Sequence, residues 1–175
     1  MADPEHLAIL QEGPEKWNAW REANRTIYNP DLSGTDILRL NFRNLMKADL
    51  SDADLSKADL REAKLSGAFL LSANLSRAKL SDADLSKADL SDAGLHWADL
   101  SGATCIHATF TRAVFVNTFL ERADLTGAHI YGISAWDLRL KDAIQRDLII
   151  TPDYAPTITV DNVEVAQFIY LLAEQ

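Results

Sequence analysis

The sequence predicts an all-β solenoid flanked by helices at both ends, on three observations. Every fifth residue from Leu45 to Ile130 is apolar without a gap, and Ala stands two places before almost all of them. The decapeptide SDADLSKADL occurs twice, at 51–60 and 81–90. Self-similarity at a fixed short period is the mark of a stacked architecture, in which each unit buries its apolar face only against its neighbours.

Such a stack leaves unpaired, apolar strand edges at its two ends, and both termini carry segments suited to cover them. Residues 4–12 read as a short helix, with Asp3 as N-cap and Pro4 at the first helical position. Gly13-Pro14 breaks it. A second helix over 14–24 places Trp17, Trp20 and Asn24 on one face, at i, i+3, i+7 spacing. Trp17 and Trp20 are expected to lie on the first coil as an N-terminal cap within a segment 1–30. A partner-binding helix pair is the alternative reading.

The repeat runs in one register from 45 to 130, which makes 18 units; 14 of the centres are Leu and 16 units carry Ala two places earlier. Wound into a helix, positions five apart advance by 140° and scatter around the cylinder, so no amphipathic stripe forms. In a straight strand an odd period sends alternate leucines to opposite faces. A chain that turns a corner after each unit keeps every centre pointing inward. The expected core is therefore Leu50, Leu55, Leu60, Leu65, Leu70, Leu75, Leu80, Leu85, Leu90, Leu95, Leu100, Cys105, Phe110 and Phe115. Leu32 and Ile37 belong to another phase, so the segment 38–44 must absorb a slip.

The A(D/N)LXX frame over these units resembles the pentapeptide-repeat family. That resemblance implies a right-handed quadrilateral β-helix with four units per coil, assigned to residues 31–135. The W-x-x-W-R element and the tail VDNVEVAQFIYLL are similar to flanks of bacterial, notably cyanobacterial, members; in longer relatives such a tail leads into a further domain.

After Ile130 the pattern decays, and residues 136–175 are expected to form strands and a capping helix. RDLIIT (146–151) and TITV (157–160) read as short strands around Pro152 and Pro156. Asp161 and Glu164 have capping-box spacing, with Asp in the hydroxyl's place. The helix they open carries Val165, Phe168, Ile169 and Leu172 as an apolar stripe. With Phe168 and Leu172 on the last coil it is a C-terminal cap; turned outward, the stripe is a dimer face or a joint to another domain. The chain is expected to be a monomer or a C-terminally paired homodimer.

Composition narrows the function. Seventeen Lys+Arg against 26 Asp+Glu give a net charge of −9, which argues against direct nucleic-acid binding. The apolar runs are far shorter than the roughly 20 residues of a membrane span. MADPEHLAIL lacks the n- and h-regions of a signal peptide, so a cytoplasmic location is expected. Cys105 occupies an inward centre and is read as a small core hydrophobe rather than a nucleophile. His6, His96, His107 and His129 share no metal-ligand spacing, and the seven glycines form no phosphate loop. Neither catalytic residue, metal nor cofactor is expected.

The Qnr-like branch of the resembled family implies mimicry of DNA at DNA gyrase. Residues 45–130, however, carry 9 Lys+Arg and 12 Asp+Glu, only −3 of the total. Ladders such as Asp59–Lys79–Asp99 and Lys64–Asp84–Thr104–Asp124 mix signs and cancel a continuous negative stripe. The preferred expectation is a non-enzymatic interaction or scaffold module with a protein partner. Its candidate surface is the outward apolar set Phe69, Leu71, Trp97, Val114, Val116 and Phe119, in which Trp97 and Phe119 stand close enough to touch.

Overall fold

Residues 2–27, 29–37, 40, 43–152 and 154–173 are described by the structure, a computed structural model. Parallel pairing between residue i and residue i+20 runs from Asn44↔Lys64 without a break to His129↔Ile149. Four five-residue units thus complete one coil, and each coil stacks on the one before. Two links define the stack. The N–H of each centre donates to a carbonyl on the next coil (Leu50 to Phe69, 2.7 Å), and the residue before each centre donates to the previous coil (Phe69 to Ala48, 2.9 Å).

Each corner is a turn closed by a bond from the Ala N–H back to the preceding centre, as from Ala53 to Leu50 at 3.1 Å. The second central residue takes a positive φ, the type II signature. Glycine supplies that conformation at Gly67, Gly102, Gly127 and Gly132, but among the described residues seventeen non-glycines also adopt it, including Lys57, Lys87 and Trp97. A β-branched side chain tolerates this region least. Lys87→Val is therefore expected to lose about 1 kcal/mol, read as a lower thermal midpoint, while Lys87→Gly should hold or raise it.

The Asp of the A-D-L-S frame has a local task. Its carboxylate accepts the N–H two residues on, as from Ser56 to Asp54 (2.9 Å), Ser86 to Asp84 (3.0 Å), Ser91 to Asp89 (3.0 Å) and Thr126 to Asp124 (3.0 Å). This N–H faces outward at the turn, away from the coil-to-coil ladder, and the Asx bond satisfies it. Inside, the Ala and Leu positions from Leu45 to Leu125 are buried throughout, and every inward centre from Leu50 to Phe115 lies in this core. Phe110 and Phe115 pack edge to face at 5.1 Å. Thr118 takes the Ala place in its unit and is fully buried, its hydroxyl donating to the Leu95 carbonyl at 2.8 Å.

At the start of the stack Asp31 pairs with Asp54 and Asp36 with Asp59, an offset of 23 rather than 20. The first coil therefore holds three extra residues before Asn44. Of the segment 38–44 expected to absorb the slip, residues 38, 39, 41 and 42 lie outside the described ones.

Helices α1 (Pro4–Gln11) and α2 (Pro14–Ala23) sit on this end, hinged at Gly13. Asp3 caps α1 by accepting from Glu5 and His6. Their side chains replace the missing strand. Asn18 donates to the Lys47 carbonyl (2.9 Å) and accepts from the Asp49 N–H (2.8 Å). Trp17 Nε1 donates to the Asp49 carbonyl at 2.6 Å, and Arg21 donates to Ser51 at 2.8 Å. Trp17 is fully buried; Trp20 is half-buried, 5.1 Å from it. His6 packs edge-on against both and accepts the Asp31 N–H at 3.2 Å.

The coil does not end at 135. Strand β1 (Val114–Val116) pairs with β2 (Ser134–Trp136), and the ladder continues through Arg139, Ile144 and Ile149. The period persists while the identities change: Ile133 and Ala135 exchange the small and large inward places, and Gln145 takes a centre. Strand β3 (Leu148–Ile149) then pairs antiparallel with β4 (Thr159–Val160). Helix α3 (Val163–Ala173) follows.

Two expectations about α3 are corrected. Asp161 is not its cap: Asn162 accepts the Val165 N–H at 2.9 Å, and Gln145 accepts the Val163 N–H at 2.9 Å. Asp161 is instead recruited by the Asp147 N–H (2.8 Å), and Glu164, in the first turn, stays exposed. Nor does the apolar stripe face the coil. Among its described side chains the buried ones of α3 are Val163, Ala166 and Gln167, with Gln167 accepting the Ala135 N–H at 2.9 Å. Phe168 and Leu172 are 62% and 56% exposed. The last coil offers an unpaired N–H at Ala135, and satisfying it with Gln167 turns the stripe away.

Candidate interaction surface

The four outer faces are mostly Asp, Ser, Lys and Thr, engaged in local bonds. Asp59 lies beneath both Arg61 (2.7 Å) and Lys79 (3.5 Å). The guanidinium of Arg61 holds its carboxyl below the ordinary value of 3.8, against the opposing effect of burial. Arg112 holds Asp92 down in the same way, one coil apart. At Asp99 burial pushes upward, and hydrogen bonds from Ser101 and Ser81 outweigh it. A depressed carboxyl stabilises the fold above its unfolded value, and that contribution is lost as pH falls through the folded value. Asp59→Asn should accordingly cost about 1 kcal/mol at pH 7 and progressively less below pH 4, read from urea midpoints of both proteins.

Among the described residues no group of His, Cys, Asp and Glu is placed to hold a metal ion. The Cys105 thiol is fully buried and burial pushes it up to about 12, which makes it inert at neutral pH. Among the described residues no helix is long and apolar enough to cross a membrane.

The apolar candidates separate into two places. Phe69 and Leu71 flank Leu70 on one face, exposed between Asp49 and Asp89 and between Ser51 and Ser91. Trp97, Val114 and Val116 lie on the next face. Trp97 is 51% exposed at its corner, while both valines are half-buried in β1. Phe119 lies around the following corner, half-buried beneath the Arg139 guanidinium, 4.6 Å from its ring centroid. The expected pairing with Trp97 is replaced by this cation–π contact.

The larger apolar surface is one that the repeat's decay hid. Trp136 stacks directly after Val116 in β2 and is 58% exposed. It faces α3 across a groove of about 360 Å³, lined by Ala135, Trp136, Asp137, Glu164, Gln167, Phe168 and Leu171. Beyond it Val165, Ile169 and Leu172 are exposed as well. An apolar band therefore runs from Trp97 through Val116 and Trp136 onto α3. Trp136 was missed because it falls after Ile130, where the repeat reads as decayed, and Leu171 because it lies beside the expected stripe of the helix rather than on it. Extending the period past Ile130 puts Trp136 in the outward column of His96 and Val116.

The family comparison agrees with this architecture. A family model described as pentapeptide repeats (8 copies) matches residues 31–70, 44–82, 70–104 and 104–133. A crystal structure of a pentapeptide repeat protein from the Arabidopsis thaliana thylakoid lumen is 34% identical over 59% of this chain and 66% of its own, with a TM-score of 0.44. HetL, a pentapeptide repeat protein involved in heterocyst differentiation regulation in the cyanobacterium Nostoc, is 24% identical over 72% of this chain and 78% of its own, at 0.35. QnrB1, a plasmid-mediated fluoroquinolone resistance protein, is 18% identical over 66% and 79%, at 0.36. No curated protein sequence matches. Matched across residues 31–133, more than half its length, and folded there as stacked five-residue units, the chain belongs to the pentapeptide-repeat family.

Proposed function

We propose that this protein is a non-enzymatic interaction module, a rigid rod that binds a protein partner in the cytoplasm through one apolar band. The observation that carries this reading is the outward stripe of α3 beside Trp136, on an otherwise polar surface. Contiguous exposed apolar surface of this kind marks contact sites. A stacked backbone loses little freedom on binding, so more of the contact energy appears as affinity. The helices at the two ends act as caps, since their side chains take up the edge groups of the first and last coils.

The test is photo-crosslinking from a benzophenone side chain placed at Trp136 or at Lys64, on the opposite face, in the cell that makes the protein. Discrete protein adducts from position 136 and none from 64 are expected. Adducts equal at both, or none at 136, would remove the reading.

The net charge of −9 favours a second reading, mimicry of DNA at gyrase. Lys79 over Asp59 and Arg112 over Asp92 break the acidic columns that such mimicry needs. No inhibition of supercoiling at micromolar protein is expected; potent, salt-sensitive inhibition would reverse the ranking.

A further inference from the structure

We infer that the groove between Trp136 and α3 docks a cationic amphipathic helix of a partner protein. This rests on the interaction-module reading and names the chemistry of its partner.

The groove has apolar walls and an acidic rim. Trp136 forms one wall, Phe168 and Leu171 form the other, and the two charged residues that line it are Asp137 and Glu164. Of the nearby cations, Arg139, two residues on, lies over the Phe119 ring and does not line the groove, and Arg77 and Lys57, in the corner column of Asp137, sit three and four coils away, about 14 Å and more at strand spacing. A helix that presents leucine-like side chains at i, i+3, i+4 fits such a trough, and flanking Lys or Arg would meet the two carboxylates. The same charges disfavour the other simple occupant. Two copies packed groove to groove around a two-fold axis would bring both Asp137 and both Glu164 side chains together, uncompensated by any cation of the groove.

The probe is a fluorescein-labelled leucine/lysine peptide with its leucines at i, i+3, i+4, i+7 spacing, titrated with the full chain and followed by anisotropy. A serine/lysine peptide of equal charge is the control. The leucine peptide is expected to bind with a dissociation constant of about 1–10 µM, and the serine peptide not to bind. Phe168→Ser should weaken binding about tenfold. Asp137→Lys combined with Glu164→Lys should do the same and remove most of the salt dependence. Phe69→Ser, on another face, should leave it unchanged; as all these side chains are exposed, the variants should fold, which their thermal midpoints would check.

Equal binding of both peptides would overturn the proposal, leaving charge alone. So would an affinity unmoved by Phe168→Ser, or no binding. A wild-type dimer that Phe168→Ser disperses in sedimentation would assign the face to a second copy. Crosslinks from position 136 without peptide binding would spare the interaction module and reject only the cationic helix.

Discussion

Trp17→Ala is expected to lose about 3–5 kcal/mol of stability and to release the N-terminal helices from the coil. Trp17 is fully buried, and its ring meets Trp20 and His6 while Nε1 donates to the Asp49 carbonyl. Removing it opens a cavity and also leaves that carbonyl without its donor. The neighbouring bonds from Asn18 and Arg21 to Lys47, Asp49 and Ser51 depend on the same helix position. Hydrogen exchange should therefore accelerate at Asp49, whose N–H Asn18 accepts, and at Asp31, whose N–H goes to His6. Urea unfolding reads the total loss. A variant as stable as the parent, with unchanged exchange at Asp49, would mean that α2 does not hold the first coil.

Leu75→Ala should be as costly, about 3–5 kcal/mol, without local release. Leu75 lies midway along the stack, between Leu55 and Leu95 in its column, and is fully buried. In most cores, neighbours lean into a new cavity and recover part of the loss. Here the backbone on both sides is held by coil-to-coil bonds from Leu55 to Asn74 (2.9 Å) and from Leu75 to Gly94 (2.8 Å), so collapse is resisted. The loss should sit at the upper end of the range and lower the midpoint of one cooperative transition. A loss below about 1 kcal/mol would indicate a coil able to close over the gap.

The period of five, the inward centres and the positions of the three helices were legible because they follow from spacing and from Gly and Pro punctuation. Three features were not. The ladder to Ile149 escaped notice because Ile133, Ala135 and Gln145 keep the spacing while abandoning the Ala/Leu alphabet. The work of the repeated Asp is a hydrogen bond to the N–H two residues on, which a charge count cannot distinguish from a solvated carboxylate. The orientation of α3 was left between two readings, on the last coil or turned outward. Its apolar stripe reads as a buried face by every rule of periodicity. The helix nonetheless turns on Gln167 and Gln145, whose amides meet backbone groups of Ala135 and Val163. A polar side chain that completes an edge outranked four apolar ones, and only the three-dimensional placement of that edge reveals it. Of the expected outward set, Phe69, Leu71 and Trp97 are exposed, Val114 and Val116 are half-buried, and Phe119 lies beneath Arg139.

The proposed function depends on the stripe of α3 being free, and thiol labelling tests that directly. Phe168→Cys adds one accessible thiol to a chain whose own Cys105 is buried and held protonated. In dilute native protein, a chromogenic disulfide should titrate one thiol at the rate of an unhindered cysteine, with Cys105 reacting only after unfolding. A thiol at position 168 that stays protected until the protein unfolds would mean the stripe is already covered, and the docking band would be lost with it.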